Sequence, residues 1–452
     1  MAFDLVIRNG TLVTSAGQRR ADIGITDGSI NAVENSLPAV AALEELDAGG
    51  MHVLPGVIDG HVHFREPGLE HEETWLTGSH AAVLGGVTTV LDMPNTVPPT
   101  DTVERARHKI TLAEASAFCD FGIFGLIGES LEPLKDLARS GLVVGLKVFM
   151  GPTTGGLRAP DDDGLRRALA IARDADLRVA FHAEDREIIE RSEAQVRASG
   201  RTDALAHLDS RPAEAEVAAI DRLARLLLEV GARGHVLHLS SAPGLAAVER
   251  WRAAGVDLTC EVTPHHLLLE RDVYASADGV ARVNPPIRGG SDAAALRVAL
   301  ADGRIDAVAT DHAPHRSQEK RRTSIWDVPS GFAGTETMLP LLLTYGVHAG
   351  WLPLERLVGV TSEAPARIWG LNPHKSTLAV GANADLTLVD LRRPGVINEQ
   401  ELHGLNNVTP FEGMPTRGAA VATIIRGGVI VRDGQLVGSP GSGRPVLRGG
   451  HG

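Results

Sequence analysis

The sequence predicts a (β/α)₈ barrel carrying a small β-sandwich domain assembled from both chain ends. Three observations carry this. The middle of the chain alternates eight apolar strand candidates with segments of helical spacing. Polar, chemistry-bearing residues fall at the C-terminal ends of those strands, which in a barrel converge on one mouth. The first 54 residues and the region from Asn372 onward are alike, both reading as short strands broken by Gly turns.

In chain order, "DLVIRNGTLVTSAGQRRADIGITDGSINAV" gives strands separated by Asn-Gly and Asp-Gly turns. Residues 55–371 then form the barrel. Its strands are sought in "HVLPGVIDGHVH", "VTTVLDMPN", "DFGIFGLI", "LVVGLKVFM", "LRVAFHAED", "HVLHLSS", "LTCEVTPHH" and "IDAVATDHAPH". Helical spacing recurs between them, as in "DGLRRALAIARDA", "AEAEVAAIDRLARLLLEV" and "GLAAVERWRAAG". A doubly wound open sheet is the competing fold. Residues 372–440, with "ADLTLVDL" and "VATIIRGGVIVRDGQLVG", return to the small domain, and 441–452 read as a flexible tail.

Composition bounds the function. Of 452 residues, 43% are hydrophobic and 22% charged, an ordinary globular balance that allows a large core. A net charge of −13 argues against nucleic-acid and anionic-membrane partners, and means that an acidic substrate needs a local cationic anchor. Two cysteines give no disulfide framework. The N-terminal stretch lacks the basic start and apolar core of a signal peptide, and no window has the length of a membrane span. The expectation is a cytoplasmic enzyme.

The stretch "PGVIDGHVHFREPG" sets the chemistry. His61 and His63 are separated by one valine, so on a strand both imidazoles share a face. Lys147 sits inside "VVGLKVFMG" with no carboxylate beside it, although a bare buried ammonium is costly. His182 and His238 close apolar strands, Asn95 and Thr263 end two more, and Asp311 opens "DHAPH". Each alone has a structural explanation, as a satisfied core histidine or a capping aspartate. Together, four histidines, a lysine and an aspartate on five strand ends suit zinc or another divalent first-row metal. Six ligands exceed what one open tetrahedral site takes, so two metals are expected. A lysine carbamate, formed by addition of CO₂, would remove the buried charge and bridge them.

The motifs "DGHVHFREPG", "DMPNT", "GLKVFM", "FHAED", "HLSS", "EVTPHHLLL", "VNPPIR" and "ATDHAPH" occur in an order that resembles the cyclic amidohydrolases, and among them the dihydroorotases. The match runs from about residue 50 to 345, with a weaker one at "NVTPFEG". The resemblance implies that His61, His63, Lys147 and Asp311 hold one metal, and that carbamylated Lys147, His182 and His238 hold the other. It implies Arg65, Asn95 and His315 as contacts to a substrate carboxylate and Asn284 as a contact to a pyrimidine ring. The implied reaction is the reversible cyclisation of N-carbamoyl-L-aspartate to L-dihydroorotate in pyrimidine biosynthesis. A metal-bridging hydroxide would attack, with Asp311 as general acid and base. Allantoinases usually carry Asn at the position of Arg65. The rival readings are allantoinase, hydantoinase, and a non-catalytic scaffold subunit, the last disfavoured because all six ligands are present. A second copy of the chain or aspartate transcarbamoylase would be the protein partner. Thr335 and "NVTPFEG" depart from the usual pattern, and residues 316–331 read equally as a substrate lid or an ordinary exposed loop.

Overall fold

The computed structural model describes residues 3–38, 42–152, 156–371 and 374–447. The expected domain junction at 372 and the end of the expected tail, 448–452, lie outside the described residues. Eight parallel strands form the barrel: β1 (Val57–Val62), β2 (Val87–Asp92), β3 (Asp120–Leu126), β4 (Gly145–Phe149), β5 (Arg178–His182), β6 (Arg233–Val236), β7 (Leu258–Val262) and β8 (Ala307–Val308). Each pairs with its sequence neighbour, as a right-handed series of βα units requires. The last gap closes at a single bridge, where the His63 N–H donates to the His312 carbonyl at 2.8 Å. β8 is short because the chain is taken over by a side chain. Asp59 accepts from the Thr310 amide at 3.0 Å and from its hydroxyl at 2.6 Å. The next residue, Asp311, turns in the left-handed region with φ 51°.

Apolar residues of the helices, such as Leu165, Leu169, Leu223 and Leu227, bury against the outer faces of the strands. Asp161, Asp185 and Ser241 each cap a following helix with a side-chain oxygen. The floor of the barrel is plugged by the segment Ala364–Trp369. The indole of Trp369 meets Phe124 edge-on at 4.7 Å and lies 5.1 Å from the His235 ring. Gly145 is required there, since a Cβ would come within 2.9 Å of both Phe124 and Trp369. The site is therefore open at one end only, the C-terminal ends of the strands.

The chain ends build one continuous, mostly antiparallel nine-stranded sheet around its own core of Leu5, Ile7, Ile23, Ile25, Leu386 and Ile424. The two halves join where His52–Pro55 pairs with Leu386–Val389. Buried Lys375 ties this sheet to the barrel, bonding Asp385 at 2.6 Å and also Asp120 at the start of β3. The reading of 441–447 as flexible tail is corrected by backbone pairing. Phe121 donates to the Arg444 carbonyl at 3.0 Å, and Val446 donates to Phe121 at 2.8 Å. This segment lays a short extra strand beside β3, covering backbone groups that would otherwise stay unpaired. No helix among the described residues is long and apolar enough to cross a membrane.

Candidate active site

His61 is the penultimate residue of β1 and His63 lies just past its end, and their rings lie 5.3 Å apart, lining the same cavity. Their Nε2 atoms are 3.2 and 3.1 Å from one oxygen, Oδ1 of Asp311. Their Nδ1 atoms point the other way, to Glu261 Oε1 and Asn95 Oδ1, each at 2.8 Å. Against those acceptors Nδ1 must carry the ring proton, so each Nε2 presents a bare lone pair to a carboxylate oxygen. Burial keeps both rings neutral, with His63 pushed down to about 4. Lone pairs converging on an anion without a proton between them make a cation site.

The second half of the cluster has the same logic. His182 ends β5 and donates through Nε2 to Glu184 at 2.9 Å, so its Nδ1 faces Nε2 of His238, 3.0 Å away, as a lone pair. Arg211 compensates Glu184, its Nε lying 3.1 Å from both carboxylate oxygens. The Nδ1 atom of His238 is buried with no hydrogen-bond partner, an orphaned polar atom of the kind that marks a missing ligand. Lys147 is 1% exposed, its Nζ is 4.7 Å from the centre of the Phe149 ring, and burial pushes its pKa down to about 7. An amine with a substantial neutral fraction near pH 7 can add CO₂. The donor set fits a pair of divalent cations bridged by a lysine carbamate.

All six expected ligands line one cavity. Arg65, Asn95 and Asn284 line it too; His315 does not. Arg65 reaches the cavity from beyond the strand. The strand stops at Val62, and Arg65 turns into the cavity with φ 64°. Its guanidinium is 2% exposed, with Nε 3.1 Å from Glu72 Oε2 and Nη2 3.3 Å from Nε2 of His315. His315 therefore stands behind Arg65, its Nδ1 bonded to Glu72 at 3.0 Å. Asn284 accepts from Ser330 at 3.2 Å. Thr263, another strand-end residue, caps the short helix Pro264–Leu268 instead of facing the cavity.

Residues 316–331 are folded down. Lys320 is fully buried, donating to the carbonyls of Arg282 and Pro329 at 2.9 Å, and Trp326 donates to the Arg201 carbonyl at 2.8 Å. Ser330 brings the end of this segment to the cavity wall.

Three acids that matter here escaped the sequence reading. Glu261 lies in "LTCEV", where strand alternation puts Thr259 and Glu261 on the face opposite Cys260; that inward glutamate was a readable signal. Glu184 follows His182 by two residues and could have been read the same way. Glu72 lies on a loop, and nothing in its local sequence connects it to Arg65.

The family model for the amidohydrolase family matches residues 52–431. A dihydroorotase of Halobacterium salinarum is 41% identical over 96% of this chain and 97% of that protein. An allantoinase of Rubrobacter xylanophilus is 37% identical over 97% of this chain and 96% of that protein. The solved L-hydantoinase of Arthrobacter aurescens superimposes with a TM-score of 0.96 at 34% identity, covering 99% of this chain and all of that one. These relatives act on different rings at comparable identity, so similarity sets the reaction class and leaves the ring open. With its barrel, its inward histidines and this breadth of likeness, the chain belongs to the amidohydrolase family, among the cyclic amidohydrolases.

Proposed function

We propose that this chain is a dihydroorotase, interconverting N-carbamoyl-L-aspartate and L-dihydroorotate in the cytoplasm. The observation that carries the reading is Arg65, a buried guanidinium on the wall of the cavity that holds the histidine and aspartate cluster. A buried cation facing a reaction cavity calls for an anionic group on the substrate, and dihydroorotate has a ring carboxylate where hydantoin and allantoin have none.

His61, His63, Asp311 and Lys147 as its carbamate would hold one divalent cation, and Lys147, His182 and His238 the other, zinc being the first choice for such donors. When bound, the cations supply polarisation of the scissile amide and acidification of water near neutrality. The chain does the rest. Arg65 anchors the carboxylate, and Asn284 offers its amide to the ring. Asp311 turns Oδ1 to the cation site it shares with the two histidines, leaving Oδ2 to take a proton from the attacking water and deliver it to the departing ring nitrogen. In the biosynthetic direction the same oxygen takes the proton from the ureido nitrogen as the ring closes and water leaves. Glu261 and Glu184 fix the tautomers of His61 and His182. A second copy of the chain, or aspartate transcarbamoylase, is the protein partner that this reading expects.

One observation favours a second reading, hydantoinase or allantoinase: Glu72 already pairs with Arg65 and offsets its charge. Ring opening of L-dihydroorotate by zinc-supplemented protein, followed in the ultraviolet beside allantoin and hydantoin, separates the two. Turnover of dihydroorotate alone supports the first. Turnover of an uncharged ring alone overturns it.

A further inference from the structure

Glu72 has no part in the proposed reaction, yet among the described residues it is the one acid that pairs with Arg65. The loop after Arg65 doubles back. Leu69 N–H donates to the Arg65 carbonyl at 3.2 Å, and Glu72 N–H to the Leu69 carbonyl at 2.9 Å. Gly68, with φ 93°, allows this, because a Cβ there would collide with the Val97 carbonyl. The fold thus returns Glu72 to the guanidinium it has just passed. Its two oxygens face two partners: Oε1 accepts from Nδ1 of His315 at 3.0 Å, and Oε2 lies 3.1 Å from Nε of Arg65 as an ion pair without hydrogen-bond alignment. The neighbouring Glu319 is turned to Arg316 at 2.7 Å. A distant segment grips the same residue, since the Asn406 side-chain amide donates to the Glu72 carbonyl at 2.6 Å and to that of His71 at 3.1 Å.

Arg65 lines the cavity and Glu72 does not. With Nε facing the Glu72 carboxylate as an ion pair, although not aligned for a hydrogen bond, and Nη2 facing His315, the edge left for a ligand is the Nη1–Nη2 edge, the two-pronged face that receives a carboxylate. Resting on the proposed function, we propose that Glu72 is a positioning residue for substrate specificity. It holds Arg65 by its Nε side so that its terminal nitrogens face the cavity, and it thereby sets the preference for a carboxylated ring over an uncharged one.

The test is calorimetric titration of metal-loaded protein with orotate and with uracil, the same ring lacking the carboxylate. It is run on wild type and on Arg65→Ala, Glu72→Ala and Glu72→Gln. We expect wild type to prefer orotate, Arg65→Ala to lose that preference, and Glu72→Ala to weaken orotate by about tenfold. Glu72→Gln, which keeps an acceptor for His315, should restore most of the loss, and uracil should bind within about twofold throughout. Orotate binding unchanged or tightened in Glu72→Ala would overturn the inference, showing an acid that merely repels. So would a parallel loss of uracil, which marks general damage. A wild type that binds orotate no better than uracil sinks the dihydroorotase reading itself, a result visible before any Glu72 variant is measured.

Discussion

The two ends of the cavity are built in different ways. At the metal-binding end, His61, Lys147 and His182 lie on barrel strands, and His63, His238 and Asp311 follow the ends of their strands within three residues. Buried acids on neighbouring strands or just beyond them fix their rings. At the anchoring end, Arg65, Glu72, His315 and Asn406 all lie on loops, and the contacts among them span up to 334 residues of chain. On the proposed reading, the chemistry is mounted on the sheet and the choice of substrate on the turns around its mouth. That division lets one metal frame serve several rings.

The largest expected effect tests the rigid end. Lys147→Ala should lose bound metal and at least about 1,000-fold in kcat, with short carboxylic acids restoring part of both by standing in for the carbamate. Retained occupancy by two metals would break the bridging assignment. The same lysine gives a pH dependence. Carbamate forms from the neutral amine, and burial pushes the Lys147 pKa down to about 7. The neutral fraction rises with pH, so metal-free protein given a fixed concentration of dissolved CO₂ and zinc should reactivate about tenfold faster at pH 8 than at pH 6. A flat profile would show that the lysine is not the group being loaded.

A smaller loss is expected one layer further back. Glu261 accepts from His61 on one oxygen and lies 3.1 Å from His235 on the other. Glu261→Gln should release the His61 tautomer and weaken metal affinity by about 10- to 100-fold, read by chelator competition. Unchanged affinity would mean that strand geometry alone orients the ligands, sharpening the contrast between sheet and loop.

This contrast also explains what the sequence could disclose. Period-two alternation fixes which way a strand residue points, so His61, Lys147 and His182 were legible before any coordinates. The barrel itself was legible for the same reason, each apolar run being bounded by turn residues. Arg65 was noticed by its motif, and alternation has no part in aiming it. Alternation ceases at Val62, and a left-handed residue restores the direction that a continuing strand would have given. Glu72 and Asn406 were invisible because a loop contact follows from tertiary closure and leaves no periodic trace. The 441–447 segment misled by composition, since Gly, Ser and Pro suit a strand edge as well as a free tail.

Arg65→Ala tests the loop end directly. It should raise KM for dihydroorotate by about 30-fold while leaving kcat for any uncharged ring unaltered, the value of a charge-assisted pair with one partner removed. An unchanged KM for dihydroorotate would shift the assignment to the second reading, with Arg65 serving only as counter-charge to Glu72.

The smallest effect lies furthest from the chemistry. Asn406 touches no ligand and no metal-binding side chain, and reaches the site only through the backbone of residues 71 and 72. One neutral hydrogen bond is worth about 1 kcal/mol, so Asn406→Ala should loosen the Glu72 loop and raise KM for a carboxylated ring by about three- to fivefold. Metal content should hold, because His61, Lys147 and His182 lie on barrel strands and the Asn406 side chain bonds only the backbone of residues 71 and 72 among these elements. Thermal stability should hold as well, since the side chain is only half-buried. If kcat or metal content fell instead, the loop and the metal-binding end would be mechanically coupled, and the division between a rigid catalytic frame and an adjustable mouth would not describe this enzyme.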